Sequence, residues 1–237
     1  MSEFTQIPVV CFDTNILIQM KGLVTNNPEE MRSMRKAGFT KSIQELYRLV
    51  KHGKIIPVIT PTVLKEVLHG VSYYGYDLVD FIRDNNFLVF EVDREHRDFW
   101  RKQTNQLANS YCTKLNASEI KCIRKFIKDE NSRIVKTVFP VKEISNEKIV
   151  PINDARIMAE ATYVGLPLIT NNVKDFSFDN RANVISYINK KKGFKATSKP
   201  YTSQEFLEYY HDRKVFPKLS KAIEKTLISS EECEFLF

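Results

Sequence analysis

A chain of 237 residues, 43% hydrophobic and 27% charged, has the length and balance of one enlarged soluble domain, or of one domain with appended segments. No apolar run approaches membrane-spanning length, and the run over 7–12, preceded by Glu3, is too short and wrongly flanked for a signal peptide. The 36 Lys and Arg exceed the 29 Asp and Glu, a formal charge of +7 that suits a polyanionic partner without requiring one.

In chain order, Pro8 to Phe12 is continuously apolar and β-prone, which predicts a strand buried on both faces of a parallel sheet. Ile43, Leu46, Tyr47 and Val50 repeat at helical spacing over 40–52, and Gly53 stops them. Ile55 to Ile59 reads as a second strand. Thr60 is then an N-cap, Pro61 a first helical residue and Gly70 a stop, with Val63, Leu64, Val67 and Leu68 as the buried stripe. A third strand is predicted over 87–92. A longer helix follows, with Phe99, Gln103, Leu107 and Tyr111 on one line and Trp100 beside them. Trp100 and Tyr111 read as core rather than as base-stacking platforms.

Another helix is expected over 116–130 and a loop over 131–152. Asn153 is a candidate N-cap for a helix to Val164 that Gly165 ends. Strands are predicted over 166–170 and 184–187. Thr202 or Ser203 opens a helix with Glu205 placed for a capping box, and Leu219, Ile223 and Leu227 suggest one more. Strands alternating with helices define an α/β protein with a mainly parallel sheet. The four cysteines (Cys11, Cys112, Cys122, Cys233) show neither a CxxC pair nor His at zinc spacing. They are expected as free thiols in a reducing, cytoplasmic setting.

Ligands of parallel α/β sheets bind outside the carboxyl ends of the strands, and that rule selects the acids. Asp13 directly follows the first strand; Asn171, Asn172 and Asp175 follow the strand ending at Thr170. Asp154 is in the first turn of its helix, and Glu66 flanks the apolar stripe of its own. Four carboxylates converging on one rim repel one another unless a cation neutralises them. All-oxygen ligation without His or Cys points to Mg²⁺ or Mn²⁺, and two such ions could activate water against a phosphodiester. Each acid has a bland explanation as well. Asp13 could be a turn former or helix cap, Asp154 a helix-dipole partner, Glu66 a solvated helix residue and Asp175 a turn cap.

Four segments in this order resemble the PIN-domain nuclease family. They are Val9-Val10-Cys11-Phe12-Asp13-Thr14-Asn15, the stretch from Thr60 to Gly70 with Glu66 as its helical acid, the stretch from Asn153 to Ala161 with Asp154, and the stretch from Gly165 to Phe176. The resemblance implies a three-layer α/β/α fold and a Mg²⁺- or Mn²⁺-dependent endoribonuclease with Asp13, Glu66 and Asp154 as metal ligands. It also implies that Thr14 and Asn15 orient Asp13 while Thr170 and Asn172 support metal or water. Many compact members are toxins restrained by an antitoxin and dimers are common, which makes an antitoxin and a second copy candidate partners beside single-stranded RNA.

Two departures stand out. Asn172 replaces the fourth acid of many relatives, so that role passes to Asp175 or is absent. The resemblance also leaves a helical insertion over about 94–152 and the segment 189–237 unexplained, and so divides the chain into a catalytic domain over 1–188 and a C-terminal extension. The charged insertion, from Arg94 to Lys128, reads first as a solvated face and second as a clamp over RNA. Lys190, Lys191 and Lys192, with Phe194 and Lys195, form a candidate RNA contact. A haloacid-dehalogenase-like phosphatase would need an acid where Asn15 stands, and a receiver domain would need an acidic pair. The remaining alternative is a non-catalytic RNA-binding or scaffold protein that kept the fold.

Overall fold

The structure, a computed structural model, describes residues 7–69, 76–90, 95–112, 116–119, 121–122, 125, 152–172, 181–194, 200–212 and 227–229. The apolar opening run forms β1 (Val9–Phe12), followed by helices α1 (Thr14–Val24), α2 (Pro28–Ala37) and α3 (Thr40–Lys51). Then come β2 (Ile56–Ile59), α4 (Pro61–His69), α5 (Tyr76–Asp84), β3 (Leu88–Phe90) and the long α6 (Arg97–Cys112). The second half contains α7 (Ile152–Val164), β4 (Leu168–Ile169), α8 (Arg181–Lys191), β5 (Pro200–Tyr201), α9 (Ser203–His211) and β6 (Leu227–Ser229).

The six strands lie in the order β5-β4-β1-β2-β3-β6. The first five are mutually parallel and β6 runs antiparallel to β3. Right-handed crossovers between parallel strands put α1 to α5 on one face and α6 to α8 on the other, and α9 returns to pack on α3. This is an α/β fold with a mainly parallel central sheet between helical layers. Chain order leaves β1 toward β2 on one side and toward β4 on the other, so the crevice between β1 and β4 is the topological switch point where such sheets bind ligands.

The central strands are covered on both faces. Val10, Cys11 and Phe12 are all buried, as are Val58, Ile59, Leu168 and Ile169. Phe12 meets Phe87 edge to face at 5.7 Å, and α1 contributes Ile16, Leu17 and Met20 to the same core. The α1–α2 turn brings two helices very close: a Cβ added at Gly22 would stand 2.5 Å from the Cβ of Glu30.

Several expectations are corrected. The segment over 184–187 is helical, not a strand: Val184, Ile185 and Ile188 are buried on one side of α8, so the 3.6-residue period outweighs β-prone residue types. Leu227 belongs to β6 and not to a helix, because the short Leu-Ile-Ser segment completes the open edge of β3. Asn153 is inside α7, which begins at Ile152. Phe99 is 59% exposed, and the buried line of α6 is Trp100, Thr104, Leu107, Ala108 and Tyr111. Residues Leu219 and Ile223, most of the predicted helix over 116–130 and all of the predicted loop over 131–152 except Ile152 lie outside the described residues, and Ile152 already belongs to α7. Residues after 188 supply β5 and β6, both edges of the sheet, so the C-terminal extension is built into the same fold. None of the described cysteines forms a disulfide, and no helix among the described residues is long and apolar enough to cross a membrane.

Candidate active site at the β1–β4 switch point

Asp13 is the first residue beyond β1 and the N-cap of α1, with φ −78° and ψ 154°. Its backbone N–H donates to the Ile169 carbonyl at 3.0 Å, which ties it to the end of β4. The side chain is 3% exposed. Oδ1 accepts the Thr14 backbone N–H at 2.7 Å. Oδ2 accepts from Asn15 Nδ2 and from Thr170 Oγ1, both at 2.6 Å. A helix-cap role explains only the first of these bonds. An ionised carboxylate has about four lone-pair directions, so three donors leave about one for a further ligand.

Thr14 joins two acids. While its N–H holds Asp13, its hydroxyl donates to Glu66 Oε2 at 2.5 Å. Burial pushes the Asp13 carboxyl up to about 6, the Glu66 charge adds to the rise, and the bonds from Thr170, Thr14 and Asn15 oppose it. Two acids are therefore held together at some electrostatic expense, which a cation would offset. The donor set is all oxygen and fits a hard divalent ion. The cavity of about 370 Å³ between α1 and α2, lined by Ile18, Lys21, Gly22 and Glu30, contains neither carboxylate.

Asp154 is half-buried in the first turn of α7, and that helix packs against α4. Among the described residues no three carboxyl, imidazole or thiol groups gather as an ion-holding set. Asp175 lies outside the described residues. Thr170 is fully buried; beyond donating to Asp13 it accepts from Asn15 Nδ2 at 3.0 Å and from the Asn172 N–H at 3.1 Å. Asn172 thus enters the site through its backbone.

Lys190, Lys191 and Lys192 are exposed at the C-terminal end of α8. Since β4 and β5 are parallel neighbours, α8 must run back to the rim where the strands begin. Its neighbours agree: Asn189 accepts from the Tyr111 hydroxyl, and Tyr111 also bonds Thr162. Both tyrosine and threonine are near the C-terminal ends of helices returning to that lower rim. The three lysines are therefore on the opposite rim from Asp13.

Two residues given no role by the sequence turn out to organise the site. Asn171 donates its N–H to Asn15 Oδ1 at 3.1 Å and its Nδ2 to Gln19 Oε1 at 2.7 Å. Its Oδ1 accepts the Ser203 N–H at 2.9 Å, and the Ser203 and Ser42 hydroxyls are 2.7 Å apart. A hydrogen-bonded line thus runs from Asp13 through Asn15 and Asn171 to the start of α9 and on to α3. The second is Glu160, an acid on the buried stripe of α7; its position among Ile157, Ala161 and Val164 was the available signal. No family model matches the chain, and no curated protein matches it.

Proposed function

We propose that the protein is a divalent-metal-dependent endoribonuclease that hydrolyses RNA phosphodiester bonds at the rim between β1 and β4. The observation that carries this reading is the pair of carboxylates at the switch point, Asp13 buried and Glu66 partly so, held together by Thr14. The four segments resembling the PIN-domain nucleases and the charge of +7 support the choice of RNA. Asp13 and Glu66 would bind the ion, and Asp154 of α7 is the third acid that the resemblance assigns to it.

A bound Mg²⁺ or Mn²⁺ supplies neutralisation of the phosphate charge and activation of water for in-line attack. Asn15 and Thr170 fix the orientation of the Asp13 carboxylate from Oδ2. Thr14 sets its distance from Glu66, and the burial around Val10, Phe12 and Ile169 keeps bulk water from screening Asp13. Attack by water, in place of a side chain or the RNA's own 2′-hydroxyl, with the 3′-oxygen as leaving group, would leave a 5′-phosphate and a 3′-hydroxyl. Among the described residues no feature bears on the toxin role or the antitoxin partner that the resemblance implies.

The second reading, a scaffold that kept the fold without turnover, is favoured by Asn172 in the place of a fourth acid. Cleavage of labelled single-stranded RNA with Mn²⁺ or chelator, using wild type, Asp13→Asn and Asp154→Asn, separates the two. The nuclease reading expects metal-dependent products with 5′-phosphate ends from wild type and at least a hundredfold loss in either variant (roughly 3 kcal/mol of barrier). Absence of both cleavage and Mn²⁺ binding would favour the scaffold, and 2′,3′-cyclic phosphate ends would contradict the water mechanism.

A further inference from the structure

Glu160 is 5% exposed in the middle of α7, where an acid is rarely found without a partner. Its Oε2 accepts the Thr62 backbone N–H at 3.1 Å, and its Oε1 accepts the Thr62 hydroxyl at 2.7 Å. Thr62 is the second residue of α4, one of the N-terminal positions whose N–H has no partner within the helix. The other early donors are already accounted for. Pro61 has no N–H, the Val63 N–H reaches Thr60 Oγ1 at 3.5 Å, and the Leu64 N–H reaches the Thr60 carbonyl at 2.8 Å. Glu160 therefore completes the cap of α4 from another helix.

The elements meeting at Glu160 are the ones that carry the site. Thr62 and Glu66 are four residues apart on α4, hence on one face of it. Asp154 is six residues before Glu160 on α7, about 9 Å along the axis at 1.5 Å per residue. Burial pushes the Glu160 carboxyl upward, and the bonds from Thr60 and Thr62 and the Arg156 charge oppose the rise. One buried carboxyl of α7 thus holds the first turn of α4 by two bonds.

We propose that Glu160 is a positioning residue that clamps the N-terminus of α4 to α7 and so sets where Glu66 stands relative to Asp13 and Asp154. The consequence for metal and RNA rests on the nuclease reading; the clamp itself does not. Gln can reproduce both bonds, its carbonyl accepting the Thr62 N–H while its amide donates to the Thr62 hydroxyl. Ala can reproduce neither and leaves the Thr62 N–H without this partner. Glu160→Gln and Glu160→Ala are therefore compared with wild type, well below the melting temperature of each, by hydrogen–deuterium exchange and by Mn²⁺ titration.

The clamp predicts that Glu160→Ala raises amide exchange in α4 at least tenfold while α3 is unchanged, and weakens Mn²⁺ binding about tenfold. Glu160→Gln is expected to stay within about threefold of wild type in both. Equal exchange increases in α3 and α4, or wild-type Mn²⁺ affinity in a folded Glu160→Ala protein, would overturn the positioning role. If wild type itself binds no Mn²⁺, the metal reading fails, and the exchange comparison alone then decides for or against the clamp.

Discussion

Asp13 combines two demands that conflict in an ordinary carboxylate. It sits at a buried strand end where neutral groups are favoured, yet it accepts three hydrogen bonds that favour the charged form. Burial wins, and without metal the folded-state pKa lies near 6 against an ordinary 3.8. The sign follows from proton linkage. A raised carboxyl binds its proton more tightly in the folded chain, so ionising Asp13 destabilises the fold. That penalty is absent below about pH 4 and complete above about pH 6, on the order of 3 kcal/mol. In chelator, Asp13→Asn should therefore gain stability relative to wild type by about that amount between pH 4 and 6. Urea unfolding at several pH values reads the difference, and saturating Mn²⁺ should reverse it. A difference that does not change with pH would mean Asp13 titrates normally.

At the scale of elements, the close α1–α2 approach gives a prediction whose direction is not obvious. Ala is a better helix former than Gly by about 1 kcal/mol, so propensity alone would have Gly22→Ala stabilise α1. The added methyl would stand 2.5 Å from Glu30 Cβ, an atom close to the backbone that can move only with α2. Overpacking of this kind typically costs about 1–3 kcal/mol. Gly22→Ala should therefore be destabilising in a thermal melt; a melting temperature equal to or above wild type would show that α2 yields easily. Elements also show where sequence patterns mislead. Val184, Ile185 and Tyr187 are β-prone types, and a four-residue window cannot distinguish a buried strand from one turn of a buried helix. The capping box at Thr202, with Glu205 bonding back, was recognisable because all its parts are local.

For the whole molecule, the segment over 200–229 decides more than its position suggests. Its strands close both edges of the sheet. Tyr201 accepts the Thr170 N–H at 2.8 Å, and the Ser203 N–H meets Asn171. Pro200 can stand in β5 because an edge strand need not donate on its outer side. A chain ended after residue 199 should thus lose cooperative unfolding, not merely some degrees of stability, when followed by circular dichroism. A sharp melt close to that of the full chain would show that the parallel strands fold without their edges.

The sequence by itself determined the α/β class, β1, β2 and α4, and the selection of Asp13 and Glu66, because these rest on local signals. An apolar run, a Thr-Pro cap and an acid just past a strand end can each be read within a few residues. Only the tertiary structure decided that Thr14 bonds both acids, that Asn171 ties the site to α9, and that Lys190 to Lys192 face the far rim. It alone also put Glu160 against Thr62, 98 residues away. The physical reason is separation along the chain. Hydrogen bonds between distant segments form only after packing has fixed strand order and crossover direction, and no local window of sequence carries that information.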